Sequence, residues 1–306
     1  MRRSGTFRWS ALALAGALAA CGQAGATPSG EPFSPVATSR PSASITTSTA
    51  PSASTPSSEP VSGGQLVEVG DRSLWLECIG EGAPTVILES GLGGDHRTWE
   101  QIQPQLATAS RVCVYDRAGI ADSDEAQGTR TTADAVDDLA ALLEAAAIEP
   151  PYVLVGFSFG GAITQLFAAT HPDDVAGLVL VESSHPLEAE QFEAHLTPEQ
   201  IEEDRAFVLD NPEGMDPFAS FEELQAAGPL PDVPLVVVSA GISEGWPPDW
   251  DAETFDALRA AQQADLATFT PQGRQVIAEQ STHHVPSQQP AVVIEAVESV
   301  LAELGG

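Results

Sequence analysis

The stretch from Tyr152 to Thr170 constrains this chain more than any other. Tyr152, Val153, Leu154 and Val155 form a short run of strand-forming residues. Gly156-Phe157-Ser158-Phe159-Gly160 follows, and Ala162 to Thr170 continues with apolar residues at helical spacing. Strand, tight turn and helix is the context in which Gly-x-Ser-x-Gly lifts a serine hydroxyl above a sheet. Glycines flank the serine because a side chain there would collide with the neighbouring strand or helix. The first N–H groups of the helix then point at whatever the hydroxyl attacks. The pattern alone decides little, because it occurs twice: Gly241-Ile242-Ser243-Glu244-Gly245 follows the apolar run Leu235-Val236-Val237-Val238. There Trp246, Pro247, Pro248 and Asp249 come next, and two prolines forbid an immediate helix. Context therefore selects Ser158 over Ser243.

Not all of the 306 residues belong to a fold. Met1 to Arg8 is a basic segment, and Trp9 to Ala20 is an apolar run too short to span a bilayer. Leu18-Ala19-Ala20-Cys21 resembles a bacterial lipobox. It implies that residues 1–20 are a signal peptide, that cleavage precedes Cys21, and that a diacylglyceryl group on its sulfur anchors the exported protein to the membrane on the extracytoplasmic side. Arg2, Arg3 and Phe7 are compatible with the twin-arginine route, so both export routes stay open. Residues 21–64 are rich in Ser, Thr and Pro and poor in large apolar side chains, the composition of a disordered tether. Residues 65–306 are long enough for one domain with a sizeable core. The formal charge of the chain is −32, every basic residue is Arg, and removal of Arg2, Arg3 and Arg8 would make the mature chain more acidic still. Such a surface argues against nucleic acid as a partner.

From residue 65 onward apolar strand-like runs alternate with helical stretches, the signature of an α/β sheet. Strands are predicted at 65–69, 73–78, 85–89, 111–115, 152–156, 177–181, 235–239 and 275–279. Helices are predicted at 98–107, 131–147, 159–170, 252–267 and 291–304. Eight strands with helices after the third to eighth describe a mostly parallel, doubly wound sheet. One acidic, helix-prone insertion at about 186–233 interrupts the alternation. Its place after the sixth strand puts it at the carboxyl edge, where it reads as a lid.

Several motifs in order carry a resemblance to the α/β-hydrolase superfamily: Glu89-Ser90-Gly91-Leu92-Gly93-Gly94, Asp116-Arg117-Ala118-Gly119, the turn at Ser158, Leu180-Val181-Glu182, and His283 after the last strand. In particular, Cys78 to Val86, Tyr115 to Gly119 and Ser183 to Pro186 are similar to blocks of exported bacterial hydrolases. The resemblance covers residues 65–306. It implies an α/β-hydrolase fold, an enzyme without a cofactor, and a small-molecule substrate with an acyl bond. Two departures are notable: Ser90 stands where most members have His, and Phe157 where many have His.

Within that resemblance Ser158 is the expected nucleophile and needs a base. His283, in Gln280-Ser281-Thr282-His283-His284, occupies the place of the family's catalytic His, with His284 as neighbour. His171, His185 and His195 read as surface residues. The acid behind His283 stays open between Glu182, at the end of the sixth strand, and Glu244, after the seventh, with Asp249 and Asp251 as looser options. The backbone N–H groups of Leu92 and Phe159 are the expected oxyanion donors. Asp116 and Arg117 form a structural corner in the family. In its sheet order the second and fourth strands are antiparallel neighbours, so Cys78 and Cys113 are placed to form a disulfide, which export would permit. No Cys/His spacing points to a metal. The function implied is a serine hydrolase cleaving carboxylic esters or related acyl bonds through an acyl-enzyme on Ser158. An amidase, a peptidase or a cofactor-free haloperoxidase on the same triad, and a non-catalytic binding lipoprotein on a hydrolase scaffold, are the alternatives.

Overall fold

The computed structural model of the chain describes residues 63–243 and 245–305. Cys21, the signal segment and nearly all of the tether lie outside them, as does Glu244. Eight strands form one sheet: β1 (Gln65–Val69), β2 (Arg72–Ile79), β3 (Thr85–Glu89), β4 (Val112–Tyr115), β5 (Tyr152–Phe157), β6 (Val175–Val181), β7 (Leu235–Ala240) and β8 (Gly273–Ala278). Their spatial order is β1-β2-β4-β3-β5-β6-β7-β8. The pairs β1·β2 and β2·β4 are antiparallel and the remaining pairs are parallel. The helices are α1 (Gln103–Leu106), α2 (Thr132–Ala145), α3 (Phe159–Thr170), α4 (Glu188–Glu193), α5 (Pro198–Leu209), α6 (Pro217–Ala226), α7 (Ala252–Leu266), α8 (Val285–Gln288) and α9 (Pro290–Leu304).

The central strands read as continuous apolar runs because helices cover both of their faces. On β5, Val153, Val155 and Phe157 point into one core layer, shared with Ile102, Leu106, Val293 and Val297. Leu154 points into the other, shared with Leu139, Leu142, Ile163 and Phe167. Amphipathic α2 buries Ala135, Val136, Leu139, Leu142 and Leu143 at the three- and four-residue spacing of one helix face. The carboxylate of Asp134 accepts the amide of Thr131 at 2.8 Å and so closes its first turn.

Two departures from the sequence expectation have local causes. The helix expected over 98–107 is split into a short 3-10 helix, His96–Trp99, and α1. Pro104 falls in the first turn of α1, where its missing N–H is tolerated, but it could not continue a helix begun at residue 98. Strand β6 begins two residues earlier than expected, at Val175, where the 3-10 turn Pro172–Asp174 delivers the chain into the sheet between β5 and β7. The insertion after β6 forms α4, α5 and α6. Of these, α4 lies against α7, and α6 lies against α2 and α3.

Cys78 and Cys113 are register partners on β2 and β4, with Cα atoms 4.0 Å apart, and they form a disulfide. The bond joins residues 35 apart in sequence and restricts the unfolded chain over that loop. Replacing Cys113 with Ala, or reducing the bond, is expected to lower the unfolding free energy by about 2–4 kcal/mol. Urea unfolding with and without reductant measures this: the reductant should move the wild-type midpoint and leave that of Cys113→Ala in place.

Candidate active site

Ser158 sits between the end of β5 and the first residue of α3, with φ 54° and ψ −125°. Positive φ is costly for a residue with a Cβ and persists only where the surroundings over-determine it. Here its amide donates to Val181 O at 3.0 Å, which extends the β6 ladder by one step. Its carbonyl accepts the amides of Gly161 and Ser184, at 2.9 and 3.0 Å. The flanking glycines allow the close approach. A Cβ on Gly160 would collide with the carbonyls of Glu89 and Ser90, and one on Gly161 with the side chain of Ser183.

Strand β6 ends one position to the side and delivers Glu182, also at positive φ, 44°. The loop after β8 delivers His283. Ser158 Oγ lies 3.0 Å from His283 Nε2, and His283 Nδ1 lies 3.3 Å from Glu182 Oε2. All three side chains are buried, at 3, 4 and 2 % exposure. A carboxylate facing Nδ1 assigns the ring proton to that nitrogen, which leaves the Nε2 lone pair for the serine hydroxyl. Glu182 has two further partners. The Ala240 amide donates to Oε1 at 2.8 Å and Arg259 Nη1 donates to Oε2 at 3.1 Å. Burial by itself would raise its pKa. The hydrogen bond from His283, the charge of Arg259 and the Ala240 amide outweigh burial and hold it down at about 2. The structure thus brings Ser158, His283 and Glu182 together, while the alternative acid Glu244 lies outside the described residues. Asp249 is instead a partner of Gln200, and Asp251 of Thr254.

The loop after β3 runs past the serine. A Cβ on Gly91 would lie 3.2 Å from Ser158 Cβ, a tight contact, so glycine eases the close approach of this loop. Leu92 follows Gly91 and lines the space beside Ser158, and Phe159 opens α3 directly after it. Ser90, which replaces the family's usual His, donates its hydroxyl to Asp95 O at 2.9 Å and braces the loop. A cavity of about 250 Å³ opens beside Ser158, with Leu92, Thr98, Gln101, Phe157, His284 and Pro286 in its walls. The Phe157 ring lies 5.0 Å from the His283 ring and covers one side of it. The insertion meets this wall from behind, where Pro212 lies against Gly93. A second cavity of about 290 Å³ lies on the far side of His283 and Glu182, with Arg259, Gln263 and Gln275 in its walls. It does not reach Ser158, which lines the first.

Other candidates resolve into structural parts. Trp99 is fully buried in the core. His185, expected at the surface, is buried: its Nδ1 accepts the Leu187 amide and its Nε2 meets Asp265 at 3.0 Å, which ties the start of the insertion to α7. Among the described residues, His96, Asp116 and Asp122 bring three potential ligand atoms within 4.8 Å of one another. Asp116 there accepts the His96 amide at 2.8 Å and meets its Nδ1 at 2.9 Å, while the His96 ring stacks on Trp75 at 4.0 Å, a brace for the 3-10 helix. Arg259 was not foreseen from sequence. Its only signal is that it is the sole basic residue between Arg205 and Arg274 in an acid-rich stretch.

The α/β-hydrolase-fold family model matches residues 84–284, most of the folded part. The chain belongs to the α/β-hydrolase family. This α/β hydrolase is similar to the uncharacterized protein YqjL of Bacillus subtilis (strain 168), with 27% identity over 226 residues, 72% of this chain and 85% of that protein. Other relatives match over less than half of their own length. Among solved structures, a thermophilic esterase from Thermogutta terrifontis (malate bound) superposes with TM-score 0.55 at 24% identity, covering 79% of this chain and 99% of that one. The enol-lactonase from Burkholderia xenovorans LB400 gives 0.57 at 21%, covering 78% and 100%. At these identities the superpositions show a shared fold. Membership of the family makes this chain a hydrolytic enzyme.

The depressed pKa of Glu182 has a stability consequence with a defined sign. Its folded value lies below the ordinary 4.5, so the stabilisation is complete above about pH 4.5 and is lost as pH falls towards 2. Arg259→Met removes one of the groups that hold the value down. At pH 5 the variant is expected to be less stable than wild type by about 2 kcal/mol. That difference should narrow steadily as the pH is lowered towards 2, as measured by urea unfolding at a series of pH values.

Proposed function

We propose that this α/β hydrolase is a serine esterase that cleaves carboxylic esters of small acids through an acyl-enzyme on Ser158. The observation that carries the proposal is the relay in which Ser158 Oγ meets His283 Nε2 at 3.0 Å while Glu182 receives the other ring nitrogen. Glu182 accepts the Nδ1–H and stabilises the imidazolium that forms when Nε2 takes the serine proton. The serine oxygen attacks the ester carbonyl, and the carbonyl oxygen gains charge between the amides of Leu92 and Phe159. Each such donor is worth about 3 kcal/mol in the transition state. His283 then returns the proton to the leaving alcohol. Water, activated by the same imidazole, releases the acid and restores Ser158.

The cavity beside Ser158, about 250 Å³, is smaller than pockets that hold drug-sized ligands and suits a short acyl or alcohol group. The named neighbours of the same fold, an esterase and an enol-lactonase, support ester chemistry. With Cys21 lipidated and residues 21–64 as tether, the enzyme would act at the extracytoplasmic membrane face on small substrates that diffuse to it.

A fluorophosphonate probe should label the wild-type protein and leave Ser158→Ala unlabelled. Equal labelling of both, or of neither, overturns the proposal. Hydrolysis of p-nitrophenyl acetate or butyrate should exceed that of the palmitate ester. Glu182→Gln should lower kcat by about four orders of magnitude, through the wrong His283 tautomer.

A further inference from the structure

The relay leaves unexplained a buried carboxylate in the insertion. Glu213, in the loop between α5 and α6, has a fully buried side chain, as does Glu89 at the end of β3. Between them lies Arg117. A guanidinium has five N–H donors. Here all five are used: Nε donates to Glu213 Oε2 at 2.6 Å, Nη2 to Glu213 Oε1 at 2.7 Å and to Gly91 O at 2.6 Å, and Nη1 to Ser90 O at 2.6 Å and to Glu89 Oε1. Tyr115 OH donates to the other oxygen of Glu89. The corner that the sequence marks as structural therefore grips the carbonyls of the loop after β3.

What that grip orients is the peptide unit between Gly91 and Leu92. A trans peptide is planar, with its C=O and N–H pointing in opposite directions. Arg117 pulls the Gly91 carbonyl inward, and this fixes the direction of the Leu92 N–H. The next peptide is pinned by the insertion: Gly93 N donates to Glu213 Oε1 at 2.6 Å. Gly93 is at φ 71°, a conformation that favours glycine, and Pro212 packs beside it. One carboxylate thus restrains both sides of Leu92, directly at Gly93 and through Arg117 at Gly91. The segment bearing Glu213 is itself fastened to the core. Arg130 N donates to Gly214 O at 2.9 Å, Asp216 N to Arg130 O at 2.7 Å, and Asn211 bridges to Met215.

We infer that Glu213 is a positioning residue for the oxyanion donor of Leu92, so that the insertion after β6 completes the active site by aiming a peptide N–H from behind. This rests on the esterase reading above for its kinetic consequence. Glutamine at 213 keeps the volume, but only one of its two terminal atoms accepts. With its oxygen on Gly93 and Arg117 Nη2, its amide nitrogen faces Arg117 Nε donor to donor. The Leu92 amide then loses its fixed direction, which costs the transition state and leaves ground-state binding nearly intact.

The test compares the full-length wild type with Glu213→Gln and with Leu224→Ala, which loosens α6 at a buried site away from the loop. In Glu213→Gln, kcat on p-nitrophenyl acetate is expected to fall about tenfold or more with KM changed less than about threefold. Hydrogen exchange in peptides spanning residues 90–94 should accelerate. Leu224→Ala should keep both kcat and that exchange pattern. Glu213→Asp keeps the charge but is one methylene too short to reach Gly93 and Arg117 together; it carries the same expectation and decides the matter should the glutamine variant not fold. Unchanged kcat in the Glu213 variants, or an equal loss in Leu224→Ala, overturns the inference. Failure of the underlying esterase reading is distinguishable, because a wild type that is not labelled by fluorophosphonate fails before any variant is compared, and hydrogen exchange still reports whether Glu213 holds the loop.

Discussion

The strained backbone at Ser158 is the constraint on which the rest of the structure depends. A serine at φ 54° gains nothing from its own conformation. It is held there by a strand fixed on both sides and by a helix that starts without a spare residue. Strand β5 pairs with β3 over Thr85–Glu89 and with β6 up to Phe157 opposite Val181. Its side chains fill two core layers at once. A shift of one residue in β5 would exchange those layers, so core packing fixes where the turn falls. The helix behind it needs Gly160 and Gly161 to pass the β3 loop and Ser183. Burial across the whole sheet therefore sets the position of one oxygen atom.

The same logic places Glu182. Glu182 ends β6, the strand beside β5, and its amide donates to Val238 O at 2.8 Å in the next strand. Its positive φ turns the side chain away from a continued strand path and towards His283. A carboxylate on a strand end is restrained by the sheet, and His283 need only be brought to it by the loop after β8. Ala240, at the end of the neighbouring strand β7, supplies an amide to the same carboxylate. Two neighbouring strand ends thus carry Ser158 and Glu182, and both depart from ordinary backbone geometry.

How legible this was depended on distance along the chain. The strand–Ser158–helix unit and most strand boundaries could be read locally, because apolar runs and glycines act over a few residues. Pro104 ends the helix expected over 98–107 and is itself a local signal, since it tolerates only the first turn of α1. The sequence leaves Glu182 and Glu244 open, since each follows a strand at suitable spacing; the sheet sets Glu182 against Nδ1 of His283, and Glu244 lies outside the described residues. His185 departs from its expected place at the surface for a related reason: its partner Asp265 is 80 residues away. Glu213 carried no mark at all among the 44 acidic residues of the chain.

An excess of acid sharpens the role of the few buried cations. Burial disfavours a charge, and in Arg117 two buried carboxylates outweigh that cost and keep the guanidinium protonated. Removing one carboxylate would leave a buried cation with a single partner, while removing the arginine would leave two carboxylates unpaired. The cluster is stable only as a complete set. Its members come from β3, from the turn after β4 and from the insertion after β6, segments far apart in sequence, so completing it requires all three to dock. Arg259 repeats the pattern on a smaller scale, bringing a cation from α7 to a carboxylate on β6. Surface pairs such as Arg97 with Asp95 are solvated and contribute little to such coupling. Among the described residues Arg130, also buried, pairs with Asp138 on α2, whereas Arg117 and the partly buried Arg259 stand directly behind the groups that would handle the oxyanion and the proton.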